Sequence, residues 1–140
     1  MARQTFTSAQ VLTAAQMTTL QASVWSDDVN AQTGTTYTLV LTDAGKQVTT
    51  SNASGVALTI PLNSSVAFAT GVRIFILNLG AGVLTIAGAG GVTVNSTNAD
   101  LTFPQYSTAV LFKTATDTWN VFRDLDIDDD QTIISSQVFG

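Results

Sequence analysis

The chain has no cysteine and no histidine, and all ten of its acidic residues are aspartate. Without cysteine there are no disulfides, thiolate metal sites or cysteine nucleophiles. Without histidine, the commonest general base and metal ligand is missing too. Charge is also scarce: 11% of residues are charged, against about 25% in an average soluble protein. The five cations, Arg3, Lys46, Arg73, Lys113 and Arg123, are scattered, so no basic stripe exists for a phosphate backbone to follow. Neither nucleic acid nor an anionic membrane is an expected partner. MARQTFTSAQ lacks the apolar stretch of a signal peptide, and no run approaches the roughly 18 apolar residues of a membrane span. The chain is therefore expected to stay in a cytoplasm until it assembles.

What replaces charge is threonine, 23 of 140 residues. Each offers a hydroxyl to water and a β-branched stem that packs on a pleated sheet. A surface of this kind can be wet without being charged. With 45% hydrophobic residues in one domain-sized chain, part of the apolar surface is also expected to be covered by other subunits.

The first 35 residues differ in period from the rest and read as an arm. Thr13 and Gln16 have the spacing of a capping box, with Leu12 and Met17 placed as a hydrophobic staple. Met17, Leu20 and Val24 then recur on one face of a short helix ending near Trp25. A helix this short is marginal alone and must dock, either on its own β-module or on a neighbour. Residues 30–34 read as a polar linker.

From Thr36 the period becomes two, and strands are expected at Tyr37–Thr42, Lys46–Ser51, Val56–Pro61, Val72–Leu79, Val83–Ala87, Val92–Asn95, Thr108–Thr114 and Thr118–Arg123. The fold class is mainly β: an antiparallel sandwich or jelly-roll-like module over 36–125, preceded by the helical arm of 1–35 and followed by an acidic link and terminal strand at 126–140. Tyr37, Leu39 and Leu41 are expected to face the core, as are Val56, Leu58 and Ile60. The Gly-containing turns at 43–46, 52–55 and 80–91 read as hairpins. VRIFILNL, Val72–Leu79, is apolar on both faces apart from Arg73 and Asn78, so a central strand covered on each side is expected, its outer cover coming from a partner chain or a packed sandwich.

Two apparent motifs fail on spacing. The glycines from Gly80 to Gly91 flank more strand, with no helix start and no Lys-Ser/Thr after them, so they do not form a phosphate loop. Asp124, Asp126, Asp128, Asp129 and Asp130 cluster like calcium ligands, but an EF-hand loop needs Gly and Glu where this chain has Asp129 and Ser135. That cluster reads as a solvated link, and no metal or cofactor is expected. Ile133, Ile134, Val138 and Phe139 beyond it suit a strand added to the chain's own sheet or, preferably, to a neighbour's. A glycosidase would need two carboxylates held across a cleft; Asp27, Asp28, Asp43, Asp100 and Asp117 are better explained as turn and cap residues, so no enzyme is expected. Trp119, Tyr106 and Tyr37 are the stacking candidates for a carbohydrate- or receptor-binding module, each in a position where core packing is the default.

The runs YTLVLTDAGKQVTTSNASGVALTIPLNSSVAF, GAGVLTIAGAGGVTV and QYSTAVLFKTATDTWNVFRDL, together covering about residues 36–125, resemble a β-module of tailed-bacteriophage virion proteins of the tail-fibre, minor tail and head-surface kinds. RQTFTSAQVLTAAQMTTL is similar to the N-terminal segments of phage tail proteins. The resemblance implies a non-enzymatic virion component, assembled in the host cytoplasm as a homotrimer or other symmetric oligomer. It would be held to other virion proteins by the arm, tail-associated, with a capsid decoration protein as the alternative. Its attachment and oligomer contacts would come from Phe6, Leu12, Met17, Leu20, Val24, Trp25, Ile133, Ile134, Val138 and Phe139. Unlike long fibre proteins, the chain continues less than twenty residues past the module, so a host surface glycan is a doubtful ligand.

Overall fold

Alternating β-branched and apolar residues from Val29 to Arg123 fold into ten short strands. A computed structural model describes residues 13–15, 17 and 28–123. The strands are β1 (Val29–Gln32), β2 (Thr36–Thr38), β3 (Gln47–Thr50), β4 (Val56–Ile60), β5 (Arg73–Asn78), β6 (Leu84–Gly88), β7 (Thr93–Ser96), β8 (Thr102–Phe103), β9 (Thr108–Ala115) and β10 (Thr118–Arg123). They form a six-stranded sheet, ordered β1-β3-β5-β9-β10-β7, and a four-stranded sheet, ordered β2-β4-β6-β8. The chain alternates between the two, so β1/β2, β3/β4 and β5/β6 are successive turns of a β-solenoid of about three turns.

The mainly-β expectation holds, but the antiparallel sandwich or jelly roll does not describe the pairing. β1 with β3, β3 with β5, β2 with β4 and β4 with β6 are all parallel. Antiparallel pairing joins β9 to β5, β10 to β9 and β8 to β6, and β7 then pairs in parallel with β10 at the far edge of the six-stranded sheet. Period two fixes which side of a strand is buried but says nothing about which strand lies beside it. The glycine turns expected as hairpins are in fact corners that carry the chain from one sheet to the other. Each corner rests on the one before. The Gly82 amide donates to the Asn52 carbonyl (3.0 Å), and the Asn52 side-chain amide donates to the Thr33 carbonyl (2.8 Å).

The core lies between the sheets in ladders. On one side Val48 pairs with Ile76 and Ile76 with Ala109; on the other Leu58 pairs with Ile86, and Val56 with Leu84 and then Phe103. All are buried, with Leu39, Ile60, Ile74, Leu111 and Trp119. Trp119 meets Phe68 edge to face at 5.4 Å, a preferred aromatic geometry. The inward Val56, Leu58 and Ile60 agree with the alternation, whereas Leu41 does not. The first strand stops at Thr38, Leu41–Asp43 forms a 3-10 turn, and Leu41 is 55% exposed.

Two further expectations change. Val29–Gln32, partly within the stretch read as a linker, is an edge strand of the six-stranded sheet. VRIFILNL is central, but its described cover is one-sided: Ile74, Ile76 and Asn78 are buried, while Phe75 on the other face is 48% exposed. Of the arm, the structure describes one helical turn after Thr13, in which the Met17 amide donates to the Thr13 carbonyl at 3.0 Å.

Candidate functional site: an open solenoid end and an apolar sheet face

The first turn of the solenoid is sealed by a polar network. Asp43, 1% exposed, accepts from the Asn30 side-chain amide (2.7 Å), the Tyr37 hydroxyl (2.8 Å) and the Val40 amide (2.9 Å). Asn30 also donates to the Tyr37 oxygen (2.7 Å) and accepts from the Gln32 amide (2.6 Å). Burial, followed by the Asp43 carboxylate beside it, pushes the Tyr37 phenol up to about 12, because a second negative charge in this pocket is unfavourable. A buried carboxylate with three donors is satisfied, so the solenoid end is closed internally although its outer edge is not. Among the described residues, neither β1 nor β2 has a neighbour on its outer side.

A second set of buried polar contacts lies on β5 and β9. Asn78 is fully buried; its amide donates to the Gly82 carbonyl (2.9 Å) and the Phe103 carbonyl (3.0 Å), and its oxygen accepts from the Thr50 hydroxyl (3.1 Å). Lys113, 2% exposed, donates to the Phe68 carbonyl (2.7 Å) and the Asn63 side-chain oxygen, its ammonium over the Trp119 ring. Asn78 ties β5 to the corner at Gly82 and to β8, and Lys113 ties β9 to the loop between β4 and β5.

The two outer faces differ in chemistry. On the four-stranded sheet, Thr36, Ala57, Thr85 and Thr102 align across the strands, with Thr38, Thr59 and Ala87 in the next row. This face exposes hydroxyl and methyl groups to water. On the six-stranded sheet the matching row is Val29, Gln47, Phe75, Val110 and Phe122. Val29 is 54% exposed and Phe122 59%. The next row brings Arg73 beside Phe112, with the guanidinium 5.3 Å from the ring centre. A depression of about 380 Å³ opens on this face between Gln47, Phe75, Thr108 and Val110.

The described carboxylates are all engaged within the chain. Asp28 pairs with Lys46 (2.9 Å), Asp117 accepts from the Asn63 amide (2.6 Å), and Asp100 accepts from Thr102 and Arg123. The Thr102 hydroxyl and amide, then the Arg123 charge, hold the Asp100 carboxyl below its usual value. Among the described residues no three acidic side chains gather as a metal site; the cluster at 124–130 lies outside them. Of the stacking candidates, Trp119 is buried, Tyr37 is committed to Asp43, and Tyr106 is 72% exposed.

Of the contact residues expected from sequence, Met17 is described and is 46% exposed. Phe6, Leu12, Leu20, Val24, Trp25, Ile133, Ile134, Val138 and Phe139 lie outside the described residues. The expected set omitted the apolar row of the six-stranded sheet. Alternation would have found it: with Trp119 and Val121 inward, Phe122 points out, and with Ile74 and Ile76 inward, so does Phe75. No family model, curated protein or solved structure matches the chain.

Proposed function

We propose that this chain is a non-enzymatic structural component of a tailed-phage virion, tail-associated, assembled as a symmetric oligomer and attached through its N-terminal arm. The observation that carries the reading is the edge on the arm side of the solenoid. Among the described residues β1 and β2 have no neighbour on their outer side, while at the far end the edge strands are β7 and β8. The arm joins the module at the β1 edge, immediately before Val29. An edge with unpaired backbone groups is a template for another strand, and the network around Asp43 keeps it stable until a partner arrives. Resemblance of the chain to phage tail and head-surface modules supplies the setting.

A virus carrying Leu20→Asp tests the attachment. Purified particles should lack the protein, while the variant chain, expressed alone, keeps the far-UV spectrum and unfolding transition of the parent. Normal incorporation would reject the arm as the attachment device. Labelling intact particles with an antibody should mark the tail; label over the head would favour capsid decoration instead.

A further inference from the structure

We infer that the apolar face of the six-stranded sheet is the seat of the chain's own residues 131–139. The face carries Phe75, Val110 and Phe122 in one row, with Phe75 and Phe122 about half exposed. An apolar sheet face of this kind is normally covered. The chain leaves the described structure at Arg123, directly after Phe122, at the margin of that row. Residues 124–130 span at most about 25 Å when extended. Two strand spacings, from β10 to β5, are only about 10 Å. The acidic link therefore reaches back across the sheet with length to spare, placing Ile133 and Ile134 over Val110 and Phe75.

Charge agrees with this placement. The link holds Asp124, Asp126, Asp128, Asp129 and Asp130. Among the described residues, Lys46 and Arg123 already have carboxylate partners, and Lys113 is buried. Arg73, on the apolar face, has a ring beside it and no carboxylate among the described residues. Among the described cations it is the one left for the link to meet. Tethering decides between the chain's own segment and a neighbour's. A short flexible linker gives an effective concentration in the millimolar range, so at micromolar protein the attached segment prevails by about a thousandfold. This placement differs from the sequence expectation, in which Ile133, Ile134, Val138 and Phe139 preferably met a neighbour. It is independent of the virion reading, which rests on the arm and the open edge.

The absence of cysteine makes the test direct. In the full chain, Val110→Cys with Ile134→Cys should oxidise to an intrachain bridge at least roughly tenfold faster than a control with Thr85→Cys on the threonine face, reflecting the higher local concentration at the seat. Interchain bridges as the main product would overturn the inference in favour of a second copy. Equal rates in both pairs, or no bridge in either, would overturn it as well. In the unsubstituted chain, hydrogen exchange should show residues 131–139 protected relative to 126–130, and Phe75→Asp should abolish that protection. Rapid exchange throughout 124–140 in the unsubstituted chain would likewise reject the seat.

Discussion

Tyr37 shows how one residue's chemistry is set by the turn around it. Its hydroxyl donates to Asp43, and its ring stands in the inward ladder beside Leu58. Its ordinary value is 10.0, raised to about 12 in the folded chain. The folded state therefore holds this proton more tightly than the unfolded state does. The corresponding stability is complete below pH 10 and is lost as the pH climbs towards about 12. Thermal melts between pH 9 and pH 12 should show the midpoint falling more steeply in the parent than in Tyr37→Phe, which has no phenol to ionise at this position. Parallel slopes would mean that the Tyr37–Asp43 contact does not couple to folding.

Among the elements, the corners are what convert an alternating sequence into a solenoid. Gly82 sits against the corner at Gly55, where a Cβ would overlap the Gly55 backbone rather than a movable side chain. Gly55 in turn has a positive φ of 94°, the region that favours glycine. Gly82→Ala should therefore destabilise the chain by about 1–3 kcal/mol, the usual cost of overpacking a well-filled site, read from the urea midpoint at unchanged slope. Gly90, with open space around it, is the control and should tolerate alanine. The same corners mark the limit of what the sequence disclosed. Strands from β3 onwards fall close to their expected positions, except for two-residue β8, because Val56, Leu58 and Ile60, or Trp119 and Val121, alternate cleanly. β1 was missed because VNAQ is half polar and spends its inward Asn30 on Asp43 rather than on core packing. Parallel pairing was not legible, because a glycine turn has the same composition whether it doubles back in one sheet or crosses to the next. The apolar row was legible from the alternation in TWNVFR, but the network at the solenoid end was not. Asp43 looked like a turn residue, and its partners Asn30 and Tyr37 come from two other strands.

At the scale of the whole molecule, the proposed assembly turns on the edge that β1 and β2 present. Edge strands in stable monomers are usually blunted by lysine, proline, a bulge or a covering element. β1 reads VNAQ and β2 reads TYT, with no charge and no proline in either. The polar network around Asp43 satisfies the buried side chains at this end, but it does not block pairing along the β1 edge. Purified protein at micromolar concentration should therefore scatter light as a multiple of the 14.6 kDa chain. A lysine on the exposed Ala31, in the middle of β1, should shift the distribution towards single chains without lowering the unfolding midpoint, since Ala31 contributes nothing to the core. A parent chain that scatters as one copy across that concentration range would show that this edge does not hold copies of the chain together. An Ala31→Lys variant that stays oligomeric would move the contact from β1 to another surface.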